Sequence, residues 1–135
     1  MSSYDVLIRN GRILDPANGV DRVGDVTIAD GRIVGFDGCA GSAAKEIDAS
    51  GCVITPGLID LHTHLFPYSD IGVSPDLFCI PNGITSAADG GSLGWGNYEA
   101  HRYYAAVRKL SVKNFINVSG VGFSVHGFPD QMNLN

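Results

Sequence analysis

His62 and His64 close the run Val53-Ile54-Thr55-Pro56-Gly57-Leu58-Ile59-Asp60-Leu61-His62-Thr63-His64. Side chains on an extended strand alternate between faces, so Asp60, His62 and His64 share one side while Ile59, Leu61 and Thr63 take the other, where the aliphatics are expected to pack outward onto helices. Two imidazoles aimed the same way can close on one divalent ion at roughly 2.0–2.1 Å, the distance zinc asks of a histidine nitrogen. Asp60, one same-face step before His62, could orient such ligands from behind. The spacing alone also admits two ordinary strand histidines. An ion held here would lower the pKa of a bound water to ~7 and polarise a carbonyl for attack, which is the chemistry of metal-assisted hydrolysis.

Few other residues could join them. Asp89 ends a second strand-like run on the same side, where it could reach the pocket or hydrogen-bond the glycine-rich turn that follows it. Asn117 and Ser119 share a face of a third run, with Ile116 and Val118 opposite. Of the remaining two histidines, His101 falls between Glu99 and Arg102 in a predicted helix and reads as solvent-facing. His126 lies in the loop after the third run, either as a substrate contact or as an exposed loop histidine. Structural zinc takes four ligands and catalytic zinc usually three from protein, so His62 and His64 make half a site.

The elements that must position these residues follow from pattern. Residues 4–9 read as a strand, Asn10-Gly11 as a hairpin turn, and Asp15-Pro16-Ala17-Asn18-Gly19 as a second turn. Residues 25–29 and 32–34 repeat the theme about Asp30-Gly31. Two copies are hairpin chemistry rather than a solenoid. Residues 35–42 read as a loop, and 46–49 and 52–54 as two short strands. Beyond the histidines, Ser74 and Pro75 start a short helix over 75–80. Residues 84–89 form a strand of small residues, and 90–96 are a glycine-rich loop. Asn97 caps a helix over 98–110 whose stripe is Ala100, Tyr103, Tyr104, Val107 and Leu110. Residues 115–119 read as a third strand. Strand, helix, strand, helix, strand predicts a parallel sheet with right-handed crossovers. At ~30 residues per βαβ step the chain holds two to three units, whereas a complete barrel takes ~250 residues and this chain has 135.

The run from Val53 to His64 resembles the first barrel strand of the amidohydrolase superfamily of metal-dependent hydrolases, dihydroorotase-like enzymes included. Ile71-Gly72-Val73 and Asn82-Gly83-Ile84-Thr85-Ser86-Ala87-Ala88-Asp89-Gly90-Gly91-Ser92 resemble most closely its amidohydrolase/deacetylase branch. The resemblance covers essentially the whole chain; the first motif is specific to the superfamily and the second favours a branch. It implies an α/β fold, the N-terminal part of a TIM-type (β/α) barrel preceded by a small β-sandwich segment, both incomplete. Residues 1–54 would be the β-segment and 55–135 the first barrel units. It further implies one or two divalent ions, most simply zinc, and a small-molecule amide, N-acyl or cyclic amide substrate. The remaining ligands, a carboxylated lysine or its equivalent and two more histidines, and a proton-shuttling aspartate would come from later strands that this sequence does not contain. A different class of reading makes the chain a non-catalytic module that folds by pairing with a second copy or a complementary chain, since an unfinished sheet leaves open edges. A third is a stand-alone β/α domain in which His62 and His64 are plain strand residues.

The totals bound the remaining classes. A net charge of −5 with scattered Lys and Arg leaves no basic stripe for nucleic acid. No apolar run approaches the ~20 residues of a membrane span. Met1-Ser2-Ser3-Tyr4-Asp5 lacks the basic flank and apolar core of a secretory signal, which predicts a cytoplasmic protein. Cys39, Cys52 and Cys79 are odd in number and widely spaced, as reduced thiols are, and the apolar neighbours of Cys52 and Cys79 predict that both are buried.

Overall fold

The computed structural model describes residues 4–36, 41–66, 68–69, 71–99, 102 and 109–123. The chain divides into two compact units, Met1–Pro56 and Gly57–Asn135.

The first unit is a five-stranded mixed sheet of β1 (Tyr4–Asp15), β2 (Val20–Ala29), β3 (Arg32–Phe36), β4 (Ala43–Asp48) and β5 (Val53–Ile54). The strand order is β3-β2-β1-β4, with β5 also on β1. β1, β2 and β3 are antiparallel neighbours, whereas β4 and β5 run parallel to β1, one along each half of it. Asp30-Gly31 is the predicted tight turn: both residues have positive φ, 51° and 69°, the left-handed pair that a two-residue hairpin needs.

Asn10-Gly11 is not a turn, which corrects the sequence reading. β1 runs straight through it as a bulge, with the register slipping between Ile8 and Gly11 and Asn10 in the left-handed region at φ 64°. Tertiary partners hold it there. Asp25 accepts the Asn10 backbone N–H at 3.0 Å and Asp48 accepts its side-chain amide at 3.1 Å. Hydrogen bonds from Ser50 and Asn10 hold the Asp48 carboxyl below the usual carboxylate range. Gly11 is buried, and a Cβ there would lie within 2.6 Å of Ile54 Cγ1 and 3.1 Å of Ala49 Cβ.

The second unit holds a three-stranded parallel sheet in the order β6 (Leu58–Thr63), β7 (Ile84–Asp89), β8 (Ser111–Asn114). Leu65, Cys79, Ala87 and Leu110 form its buried cluster, with Val73, Ile84 and Val112 packed against them. Three expectations change. The helix over 75–80 is a single turn, α1 (Pro75–Phe78), followed by a 3-10 turn at Ile80–Asn82 that Pro81 enters and Gly83 ends in the left-handed region. The third strand is β8, ahead of 115–119, because β7 ends where Asp89 pairs with Asn114 and leaves no strand for later residues to join. Ile59 and Leu61, expected to be covered, are 66% and 76% exposed. Of the helix over 98–110, Tyr98, Glu99 and Arg102 are helical and Leu110 is not; 100–101 and 103–108 lie outside the described residues.

Cys79 is fully buried, and burial, then the charges of Asp60 and Asp76, push its thiol up. Cys52 is exposed, contrary to expectation, because its backbone rather than its side chain is used, accepting from Arg12 N–H at 3.0 Å. Cys39 lies outside the described residues. No helix among the described residues is long and apolar enough to cross a membrane.

The close approach at Gly11 makes a prediction. Gly11→Ala should destabilise the chain by about 1–3 kcal/mol, the usual range for overpacking, read as a lower urea midpoint at unchanged slope.

Candidate metal site at the strand ends

β6 delivers His62 within the strand and His64 just past its end. The two ring centroids are 5.7 Å apart with their planes at 66°, so the two-residue spacing does bring the imidazoles together. β7 lies alongside, and the residue after it, Gly90, donates its N–H to Thr63 O at 2.7 Å. That bond draws the Gly90 backbone against both rings. A Cβ on Gly90 would sit 2.9 Å from His62 Nε2 and 3.3 Å from His64 Cε1. The space between the rings therefore exists because position 90 has no side chain.

Asp89 builds the floor of this arrangement. It is buried, and its carboxylate accepts three backbone N–H groups: Leu65 at 2.7 Å on Oδ2, Gly91 at 2.9 Å and Ser92 at 2.6 Å on Oδ1. Asp60 uses its carboxylate locally, accepting the His62 backbone N–H at 3.0 Å. Asn117 ties the chain after β8 to the glycine-rich loop, its amide donating to Gly91 O at 3.3 Å and its backbone N–H to Leu93 O at 2.9 Å. Its Oδ1 accepts the Ser119 N–H at 2.9 Å, and Ser119 is buried. His101 and His126 lie outside the described residues.

Sequence reasoning passed over two contacts of His64. Its Nδ1 lies 3.1 Å from Ser92 Oγ, and its ring meets Phe123 edge-on at 5.5 Å between centroids. The available signal for Ser92 was the run Gly90-Gly91-Ser92 directly after a strand that runs beside the histidine strand, two residues without side chains and then a hydroxyl.

The donor set can be tested against a divalent ion. The two ring centroids lie 5.7 Å apart, and Nδ1 of His64 is taken by the Ser92 hydroxyl at 3.1 Å, which leaves Nε2 as the ring nitrogen free for an ion. Among the described residues no group of three or more His, Cys, Asp or Glu side chains could hold a metal. The residues fit as two ligands of a set that needs at least one more.

Two substitutions separate the floor from the cradle. Asp89→Asn should destabilise the second unit by about 1–3 kcal/mol, since an amide cannot accept on both sides and leaves a buried N–H unpaired; urea unfolding reads this. Gly90→Ala meets only the movable ends of side chains, so it should cost less than about 1 kcal/mol while displacing the His62 ring resonances in an NMR spectrum.

No family model matches the chain. It is 47% identical over 92 residues to the dihydroorotase of Syntrophotalea carbinolica, covering 64% of this chain and 20% of the relative. With the dihydroorotase of Geobacter sulfurreducens it shares 32% identity over 129 residues, 91% of this chain and 30% of that protein. Its fold superposes on a dihydroorotase crystal structure with a TM-score of 0.77 at 26% identity, covering 89% of this chain and 32% of the other. An N-acyl-D-glutamate deacylase from Bordetella bronchiseptica, complexed with zinc and a phosphonate mimic of the tetrahedral intermediate, gives 0.62 at 25% identity, covering 84% and 29%. The chain thus spans a fifth to a third of the length of these proteins. With paired histidines at a parallel strand end and matches of this extent, the chain belongs to the amidohydrolase superfamily, on its dihydroorotase-like side.

Proposed function

We propose that this chain is the N-terminal portion of a TIM-type barrel enzyme that hydrolyses a non-peptide C–N bond, in an amide, N-acyl or cyclic amide substrate. The observation that carries the reading is the convergence of His62 and His64 over Gly90. His62 and His64 would hold a divalent ion, zinc in the first instance, with further ligands from outside this chain. When bound, the ion supplies a water active at neutral pH and a Lewis acid for the carbonyl. Zinc is present in the deacylase relative, and the likeness to dihydroorotases supports a cyclic amide as the leading substrate class in this reading.

The chain's own residues do the positioning. Asp89 holds the backbone that follows His64 and the loop that carries Gly90 in one hydrogen-bonded block. Asp60 fixes the backbone at His62. Asn117 closes the loop at one side of the rings. His126, in the sequence after the third strand, takes the role of a substrate contact in this reading.

The second reading, a non-catalytic module that pairs with another chain, is favoured by apolar side chains left exposed on and beyond the outer strands β6 and β8: Ile59, Leu61, Phe115 and Val118. Open strand edges invite such pairing. Size-exclusion chromatography with metal analysis separates the two.

The enzyme reading is tested in the longer protein that carries this segment. His62→Ala and His64→Ala should each lower bound zinc and cut hydrolysis of dihydroorotate or an N-acyl amino acid by more than the roughly 10–100-fold lost with an outer-sphere partner. Retention of full rate and metal content in His62→Ala would overturn it.

A further inference from the structure

We propose that Ser92 is a positioning residue for His64: its hydroxyl accepts a hydrogen bond from Nδ1–H, so that the ring presents the Nε2 lone pair to the ion. The inference rests on the reading of His62 and His64 as metal ligands and goes beyond it by assigning the group that sets the tautomer of one of them. A neutral imidazole carries one proton, and whichever nitrogen bears it is closed to a metal. A partner at Nδ1 therefore decides whether Nε2 is a ligand or a donor.

The geometry makes Ser92 a built partner rather than a passing one. Its Oγ lies 3.1 Å from His64 Nδ1, and the residue is fully buried, so water does not compete for the contact. Its backbone N–H is held by Asp89 Oδ1 at 2.6 Å, while Asp89 Oδ2 holds the N–H of Leu65, the residue after His64, at 2.7 Å. One carboxylate thus fixes both the hydroxyl and the backbone next to the ring it touches. The carbonyl of Ser92 accepts the Phe123 N–H at 3.0 Å, and Phe123 meets the opposite part of the assembly by packing edge-on against His64. Ring, hydroxyl and aromatic wall are locked in one cycle of contacts, with Gly90 leaving the space beside His64 Cε1 clear. Outer partners of metal-bound histidines act in this way, and their loss costs 10–100-fold in metal affinity.

The test uses the longer protein that carries this segment, with 15N-labelled histidine, metal-free and then titrated with zinc alone. Long-range 1H–15N spectra of the metal-free protein should show His64 with its proton on Nδ1, and Ser92→Ala should shift it towards the Nε2–H form. Zinc affinity, read from the same spectra, should fall about 10–100-fold in Ser92→Ala and recover in Ser92→Thr, which keeps the hydroxyl. Ser92→Gly also removes the hydroxyl and serves the same comparison if Ser92→Ala does not fold. A metal-free His64 found as Nε2–H overturns the proposal, as does unchanged zinc affinity in both hydroxyl-free variants while His62→Ala abolishes binding; the metal site itself then stands. If the longer protein takes up zinc no better than its His62→Ala/His64→Ala variant, the metal reading falls and the proposal falls with it.

Discussion

The second unit depends on one buried carboxylate. Asp89 ends β7, and its side chain takes N–H groups from the segment leaving β6 and from the loop leaving β7. Its backbone carbonyl accepts Phe115 N–H at 3.0 Å, from the segment leaving β8. Three strand exits meet at a single residue. Burying a charge is costly unless it is fully hydrogen-bonded, and charge-assisted bonds to backbone N–H groups are the strong kind. The cost is met here by donors that would otherwise be orphaned where the strands end. The same bonds that make Asp89 tolerable in the interior make the strand ends rigid.

Rigidity at that end matters because chemistry on parallel α/β sheets gathers at the carboxyl ends of strands. His62 and His64 sit there, on a strand whose neighbour stops one residue short of Gly90. Parallel pairing brings the Gly90 backbone against the rings, and only a residue without Cβ can occupy the position without pushing them aside. The loop after β7 is then closed from the other side by Asn117 and by the bond of Phe123 to Ser92. A glycine-rich segment that would be loose in isolation is held at both ends.

The first unit shows the same principle in a different setting. Asn10 adopts a left-handed conformation inside a twelve-residue strand because Asp25 and Asp48, far along the chain, satisfy its backbone and side chain. Locally, Asn-Gly is a hairpin signal. It becomes a bulge because β2 offers a continuous partner on both sides of it and Ile54 fills the space that the missing Gly11 side chain leaves.

The sequence by itself determined the local choices: alternating strands, the Asp30-Gly31 turn, the parallel order expected of strands separated by crossovers, and a histidine pair that must share a face because the pleat has period two. These depend on neighbours within a few residues or, for the parallel order, on the succession of elements, both of which the sequence displays directly. Tertiary structure alone decided where β8 lies, that Asn10-Gly11 is a bulge, that the Cys52 side chain is exposed, and that Ser92, Gly90 and Phe123 belong to the histidines. Each of those outcomes is set by contacts between residues well apart in sequence, from Gly11 with Gly24 to His64 with Phe123, and partner identity at that range is fixed by strand register and packing, which no local pattern encodes.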